Sequence, residues 1–184
     1  TRPFLPEAFD FAKSRWQQAP TVIAAPYLTT GPDYKPTIGR WRSFQEGYEI
    51  KSHLFTREEA MNSTGIQPAE FLGTGLILID MRVVTGFPVK GEDGEEQMVK
   101  LAPPWFYYEY TDEYHLQKAS TEDMVFSRNV SMEFAKHGLE TNFVHWDCWA
   151  EHVKTIHVHK PTSWNALTLA QELHQQGGNQ HRKE

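Results

Sequence analysis

The sequence has little sulfur: a single cysteine, Cys148, stands among 184 residues. One thiol makes no internal disulfide and no cysteine-rich zinc module. A basic excess is also missing, since 18 Lys and Arg face 24 Asp and Glu, a formal net charge of −6. A general nucleic-acid or anionic-membrane binder needs a basic face, so neither is expected as a partner. No apolar run approaches the roughly 18 residues that cross a bilayer. The opening stretch Thr1-Arg2-Pro3-Phe4-Leu5-Pro6 lacks the apolar core of a secretory signal. Together these absences predict a cytoplasmic chain with no membrane span.

Aromatics and histidines are plentiful instead: 6 Trp, 7 Tyr, 11 Phe and 9 His. An aromatic share of 13% is high for a plain scaffold and suits a protein that handles planar or sugar-like ligands. The length fits one modest domain, and 39% hydrophobic residues supply a core.

Read along the chain, residues 6–18 are predicted to form a helix, with Pro6 near its start and Phe9, Ala12 and Trp16 at helical spacing. Thr21 to Ala25 is a short apolar run that suits a buried strand, and residues 31–36 form a loop rich in turn residues. Extended segments with a hairpin near Glu46-Gly47 are predicted over 38–54. Phe71 to Asp80 is the most apolar stretch and predicts one central element covered on both faces. Gly91 to Glu96 is an acidic turn. Ser120 to Lys136 is the clearest helix, with Ser120 and Asp123 at capping-box spacing and Phe126, Val130 and Phe134 at i, i+4, i+8. Strands are predicted over 141–146 and 153–158, and strands interleaved with helices predict an α/β domain with a mixed central sheet. It extends over residues 1–161, and 162–184 form a C-terminal helix and a frayed polar tail. Asn-x-Ser/Thr matches at Asn62 and Asn129 are read as chance.

Three constellations could carry chemistry. Glu122 and Asp123 open the long helix, where acids are favoured by the helix dipole and serve as caps, or where Asp123 serves as a general base. His145, His152, His157 and His159 form the second group. His157 and His159 alternate and would share a strand face as a metal pair, yet their spacing matches no zinc pattern, and structural roles are the alternative. Trp105-Phe106-Tyr107-Tyr108 is the third, interleaved with Glu109, Asp112 and Glu113. Its aromatics pack a core or stack on sugar C–H faces.

Taken in order, five segments resemble the C-terminal half of family-2-like glycosyltransferases of the glycosyltransferase-A fold. They are Thr21-Val22-Ile23-Ala24-Ala25-Pro26-Tyr27, Gly73-Thr74-Gly75-Leu76-Ile77-Leu78-Ile79, Pro104-Trp105-Phe106, Glu122-Asp123-Met124-Val125-Phe126-Ser127-Arg128 and Trp146-Asp147-Cys148-Trp149-Ala150-Glu151-His152. The resemblance implies metal-dependent transfer of a sugar from a nucleotide-diphosphate donor to a hydroxyl acceptor, inverting the anomeric centre. Asp123 would be the base with Glu122 as its neighbour, His152 would help hold Mn2+ or Mg2+, Gly73, Thr74 and Gly75 would approach a sugar, and Trp105 and Phe106 would line the acceptor side. The family's Asp-x-Asp turn occurs nowhere in the 184 residues. Its place would be at or just before Thr1, so the nucleotide-binding half is expected upstream. A non-catalytic carbohydrate- or partner-binding module built on the patch around Trp105 is the alternative. A histidine-dependent metallohydrolase is a third reading.

Overall fold

A computed structural model describes residues 3–28, 35–41, 52–91, 94–110 and 118–150. In chain order the described elements are α1 (Phe4–Ser14), β1 (Val22–Ala24), β2 (Ile38–Trp41), β3 (Ser52–Leu54), α2 (Arg57–Asn62), β4 (Ile66–Pro68), β5 (Phe71–Leu72) and β6 (Ile77–Ile79). They continue as α3 (Arg82–Thr85), β7 (Phe87–Lys90), β8 (Glu96–Val99), β9 (Glu109–Tyr110), β10 (Lys118–Ser120), α4 (Glu122–Ala135) and β11 (Asn142–His145). The described residues form a mixed α/β architecture, with four helices and several small sheets. None of the described helices is long and apolar enough to cross a membrane. The expected hairpin turn at 46–47, the strand at 153–158, the boundary at 161 and the tail all lie outside the described residues.

The largest sheet runs β4-β11-β1-β6. β1 lies parallel to β11, with Ile23 opposite Phe143, and antiparallel to β6, with Ile23 opposite Leu78. Side chains alternate across a strand, so β1 feeds two cores. Val22 and Ala24 join Val144, Trp146 and the α4 residues Phe126, Val130 and Phe134 on one face. Ile23 and Ala25 join Phe143 and the α1 residues Phe4 and Ala8 on the other.

α1 corrects the predicted register. The helix starts two residues earlier and ends four earlier than 6–18. Pro6 sits in the first turn, where its missing N–H costs nothing. The buried stripe is Phe4, Ala8 and Ala12, whereas Phe9 and Trp16 are 61% and 50% exposed. Two alanines let the helix lie close to β1 and β11, and Phe11 meets the Phe143 ring edge-on at 4.9 Å. Arg15, just past the helix end, donates to the Glu140 carbonyl at 2.7 Å.

The aliphatic run 71–80 is also divided differently. β5 belongs to a second sheet, ordered β3-β2-β5, while β6 forms an edge of the four-stranded sheet, and its three residues are only half-buried. Gly73-Thr74-Gly75 breaks the run between them. In the second sheet Gly39 pairs with Phe71. A Cβ at Gly39 would stand 1.6 Å from Phe71 Cζ, so the ring occupies the space a side chain would need. Among the described residues no strand pairs with the outer edge of β6. Next to it lies an apolar groove of about 440 Å³ lined by Phe9, Trp16, Leu78 and Met81. Arg82 also lines it, its guanidinium 3.5 Å over the Trp16 ring and paired with the buried Asp80 at 2.6 Å.

α4 fits its predicted span, with Phe126, Val130 and Phe134 buried and Gly138 at φ +70° just beyond its end. Its N-cap is Thr121 rather than Ser120. Two buried polar side chains join the layers. Ser127 accepts from the Leu72 N–H at 3.0 Å and donates to the Asp123 carbonyl at 2.9 Å. Asn142 donates to the carbonyls of Glu70 and Ser127 at 2.9 and 2.7 Å. Replacing Asn142 by Ala removes both bonds that tie β11 to α4 and to the backbone before β5. It should lower unfolding free energy by about 2–4 kcal/mol in urea titrations. A loss below about 0.5 kcal/mol would mean that the two carbonyls find other partners.

Candidate active site

The first turn of α4, the end of β5 and the segment after β1 converge on a cleft of about 360 Å³. Its lining includes Tyr27, Thr37, Gly73, Tyr108, Glu122 and Asp123, and contains no Lys, Arg or His among the described residues. Glu122 and Asp123 are half-buried. Their placement follows from the Ser127 bonds, because one hydroxyl fixes the Asp123 turn of α4 to the backbone of β5. Asp123 Oδ1 accepts from the Met124 N–H at 2.8 Å and from the Thr121 hydroxyl. The Thr121 hydroxyl donates to the carboxylate, and its oxygen takes no backbone N–H of the helix.

Two tyrosines face these acids. The Tyr108 phenol is hydrogen-bonded to the Glu122 carboxylate, and that bond foremost raises its pKa above the ordinary value, with burial adding to it. Burial is the main cause of the raised Tyr27 pKa. The nearby Asp123 charge adds to it, and a hydrogen bond from the Thr37 side chain acts the other way. Both phenols thus stay protonated and remain hydrogen-bond donors at neutral pH.

The glycines of the Gly-Thr-Gly stretch leave room for Tyr27. A Cβ at Gly73 would come 2.8 Å from Tyr27 Cε1, and one at Gly75 would come equally close. Gly73 lines the cleft, while Thr74 and Gly75 are not part of its wall. Trp105 and Phe106 are likewise not on its wall. The Trp105 indole N–H is spent on the Leu101 carbonyl at 3.2 Å, and the Phe106 ring stacks on Phe126 at 4.4 Å. The aromatic segment reaches the cleft through Tyr108, two positions further on. Of the expected site residues, the fold thus brings together Gly73, Glu122 and Asp123.

Sequence reasoning assigned no role to Tyr27 or Thr37, and it named Tyr108 only as one of the four residues of the aromatic patch. For Tyr27 a signal existed. It follows an apolar strand at its C-terminal end, where open α/β sheets place ligands. Nothing in the sequence pairs Thr37 with Tyr27.

The histidine group is divided. His145 is buried on the α1 side of the large sheet, its Nε2 3.0 Å from Glu7 and 3.5 Å from Cys148 Sγ. His152, His157 and His159 lie outside the described residues. Among the described residues no group of three or more His, Cys, Asp or Glu could hold a metal ion. No protein-family model matches the chain, and neither the curated proteins nor the solved structures give a match.

Arg128, from the same helix, stands apart from the cleft and anchors the aromatic segment. It forks onto Glu109, with Nη1 2.7 Å from one carboxylate oxygen and Nη2 bonded to the other. Asn129 donates to the Tyr107 hydroxyl at 3.2 Å. The Arg128 hydrogen bonds hold Glu109 below the usual carboxylate pKa. The stability from this pair is complete above the unfolded glutamate pKa and fades as pH falls through the lowered native value. Glu109→Gln should cost about 1 kcal/mol at neutral pH. It should also have a shallower acid limb than wild type, the two curves closing as pH falls through the lowered native pKa of Glu109. Parallel curves over that range would show that the pair contributes nothing.

Proposed function

We propose that the chain is the acceptor-side part of a nucleotide-sugar glycosyltransferase resembling the glycosyltransferase-A fold, with Asp123 as general base. The observation that carries this reading is the meeting of Asp123, Glu122, Gly73 and two tyrosines on one cleft. An acceptor hydroxyl held there would give its proton to Asp123 as its oxygen bonds to the anomeric carbon. The bond to the nucleoside diphosphate breaks on the opposite side, so a single displacement inverts the centre. Asp123 suits the role because its second oxygen remains for the proton while Oδ1 takes the Thr121 and Met124 donors. Glu122, bonded to Tyr108, would orient the sugar.

A divalent cation would neutralise the departing diphosphate when bound. The described residues do not by themselves make up such a site, and His152 lies beyond them, so no step is drawn through the metal. The reading also calls for an upstream strand-helix unit bearing the Asp-x-Asp turn. Among the described residues no strand pairs with the outer edge of β6, and that edge with the apolar groove beside it offers such a unit a place to dock.

A binding module without turnover is the second reading. It is favoured by Trp105, Phe106, Tyr108 and Tyr110, all substantially exposed on one short segment. Asp123→Asn separates the two. The amide keeps an oxygen for the Met124 N–H and cannot take a proton. In protein that carries the upstream half, transfer from a UDP- or GDP-sugar with Mn2+ should fall about 1,000-fold. Thermal midpoint and donor-induced stabilisation should stay near wild type. Retained turnover removes Asp123 as base. Saccharide binding without any transfer by the wild-type protein favours the module.

A further inference from the structure

We propose that Tyr27 is the specificity-determining residue of this cleft, its ring a platform for an uncharged, hydroxyl-rich ring that stacks there and hydrogen-bonds to Glu122 and Asp123. The inference rests on the reading of the cleft as an acceptor site and names the class of acceptor. Two independent features carry it, the seat of the ring and the charge of the walls.

The ring is seated by absence. Cβ atoms at Gly73 and Gly75 would intrude on Tyr27 to 2.8 Å, and one at Gly73 would also come 2.6 Å from Thr37 Oγ1. Thr37 hydrogen-bonds the Tyr27 carbonyl through its N–H at 3.0 Å and its hydroxyl at 3.3 Å. The backbone is therefore held, and the ring packs closely over the two glycines while Tyr27 still lines the cleft. An aromatic face fixed before binding loses little conformational freedom when a ligand stacks on it.

The walls set the charge. Two carboxylates and no described cation face the space, so an acidic ligand meets uncompensated repulsion. Asp123 is bonded to Thr121 and Met124, and Glu122 to Tyr108. The acids already have donors and present their remaining lone pairs to hydroxyl groups. A polyol ring supplies O–H donors at its rim and C–H bonds at its face, matching both features.

The test titrates the 184-residue chain with methyl glucoside, methyl galactoside, glucuronate and glucosamine, read by NMR at the Tyr27 and Tyr108 rings. At least one neutral glycoside should bind, with glucuronate about tenfold weaker or worse. Tyr27→Leu should weaken the neutral ligand about tenfold, while Tyr27→Phe, which keeps the ring, should stay within about threefold. Gly75→Ala should match Tyr27→Leu, because its methyl displaces the ring from an exposed position, and it carries the test should Tyr27→Leu fail to fold. Glucuronate binding as well as the neutral glycosides overturns the proposal. So does glucosamine binding more than about tenfold tighter, unaltered binding in folded Tyr27→Leu and Gly75→Ala, or no neutral ligand bound at tens of millimolar. Asp123-dependent transfer with an acceptor KM indifferent to Tyr27→Leu leaves the transferase reading intact and removes this inference. Tyr27-dependent saccharide binding in a protein without transfer does the reverse.

Discussion

A buried hydroxyl and a buried amide hold the layers of this protein in register. Ser127 lies inside α4, where a serine has no propensity advantage, yet its oxygen takes the N–H of Leu72 from another sheet. Asn142 begins β11 and reaches both the Ser127 carbonyl and the carbonyl just before β5. Apolar contacts alone would let α4 slide over the sheets, since aliphatic and aromatic surfaces tolerate many offsets. Directional bonds in a dry interior do not. The site inherits its geometry from this lock, because Asp123 lies one turn before Ser127 and Gly73 follows Leu72.

Around the lock, polar contacts serve position more than stability. Arg128 and Asn129 tie the aromatic segment to the exposed side of α4, and Phe106 lies flat on Phe126. Tyr108 is thereby delivered to Glu122 from a stretch with little regular structure of its own. On the opposite face of the large sheet, His145 bonds to Glu7 and secures α1. Of the described histidines, His145 thus contributes to packing, and the chemistry gathers on tyrosines and carboxylates.

Much of this could be read from the chain because some signals are local. The i, i+4, i+8 stripe of Phe126, Val130 and Phe134 identifies α4 whatever surrounds it, and the apolar run at Val22 identifies β1. Other features are decided at a distance. Ala8 and Ala12 form the buried face of α1 because small residues permit close approach to the sheet, and hydrophobicity alone points to Phe9 and Trp16 instead. The run 71–80 looks the same whether it makes one covered strand or two short strands in separate sheets. Gly73-Thr74-Gly75 was the local clue, and its meaning depends on a tyrosine 46 residues before the first glycine. Glu122 and Asp123 were legible as a pair, whereas the phenols that face them were not.

The parallel pairing of β1 with β11 also governs how the chain assembles. Val22 finds Asn142 across 120 positions, while its other neighbour, Ile79, comes much earlier. Contacts this far apart along the sequence must close a long loop before they stabilise anything, which slows folding. During synthesis β1 and β6 can pair first, leaving one edge of β1 bare until the residues around 142 have emerged. Asn142 opens that last described strand, and its amide joins the sheet to α4 at the same step.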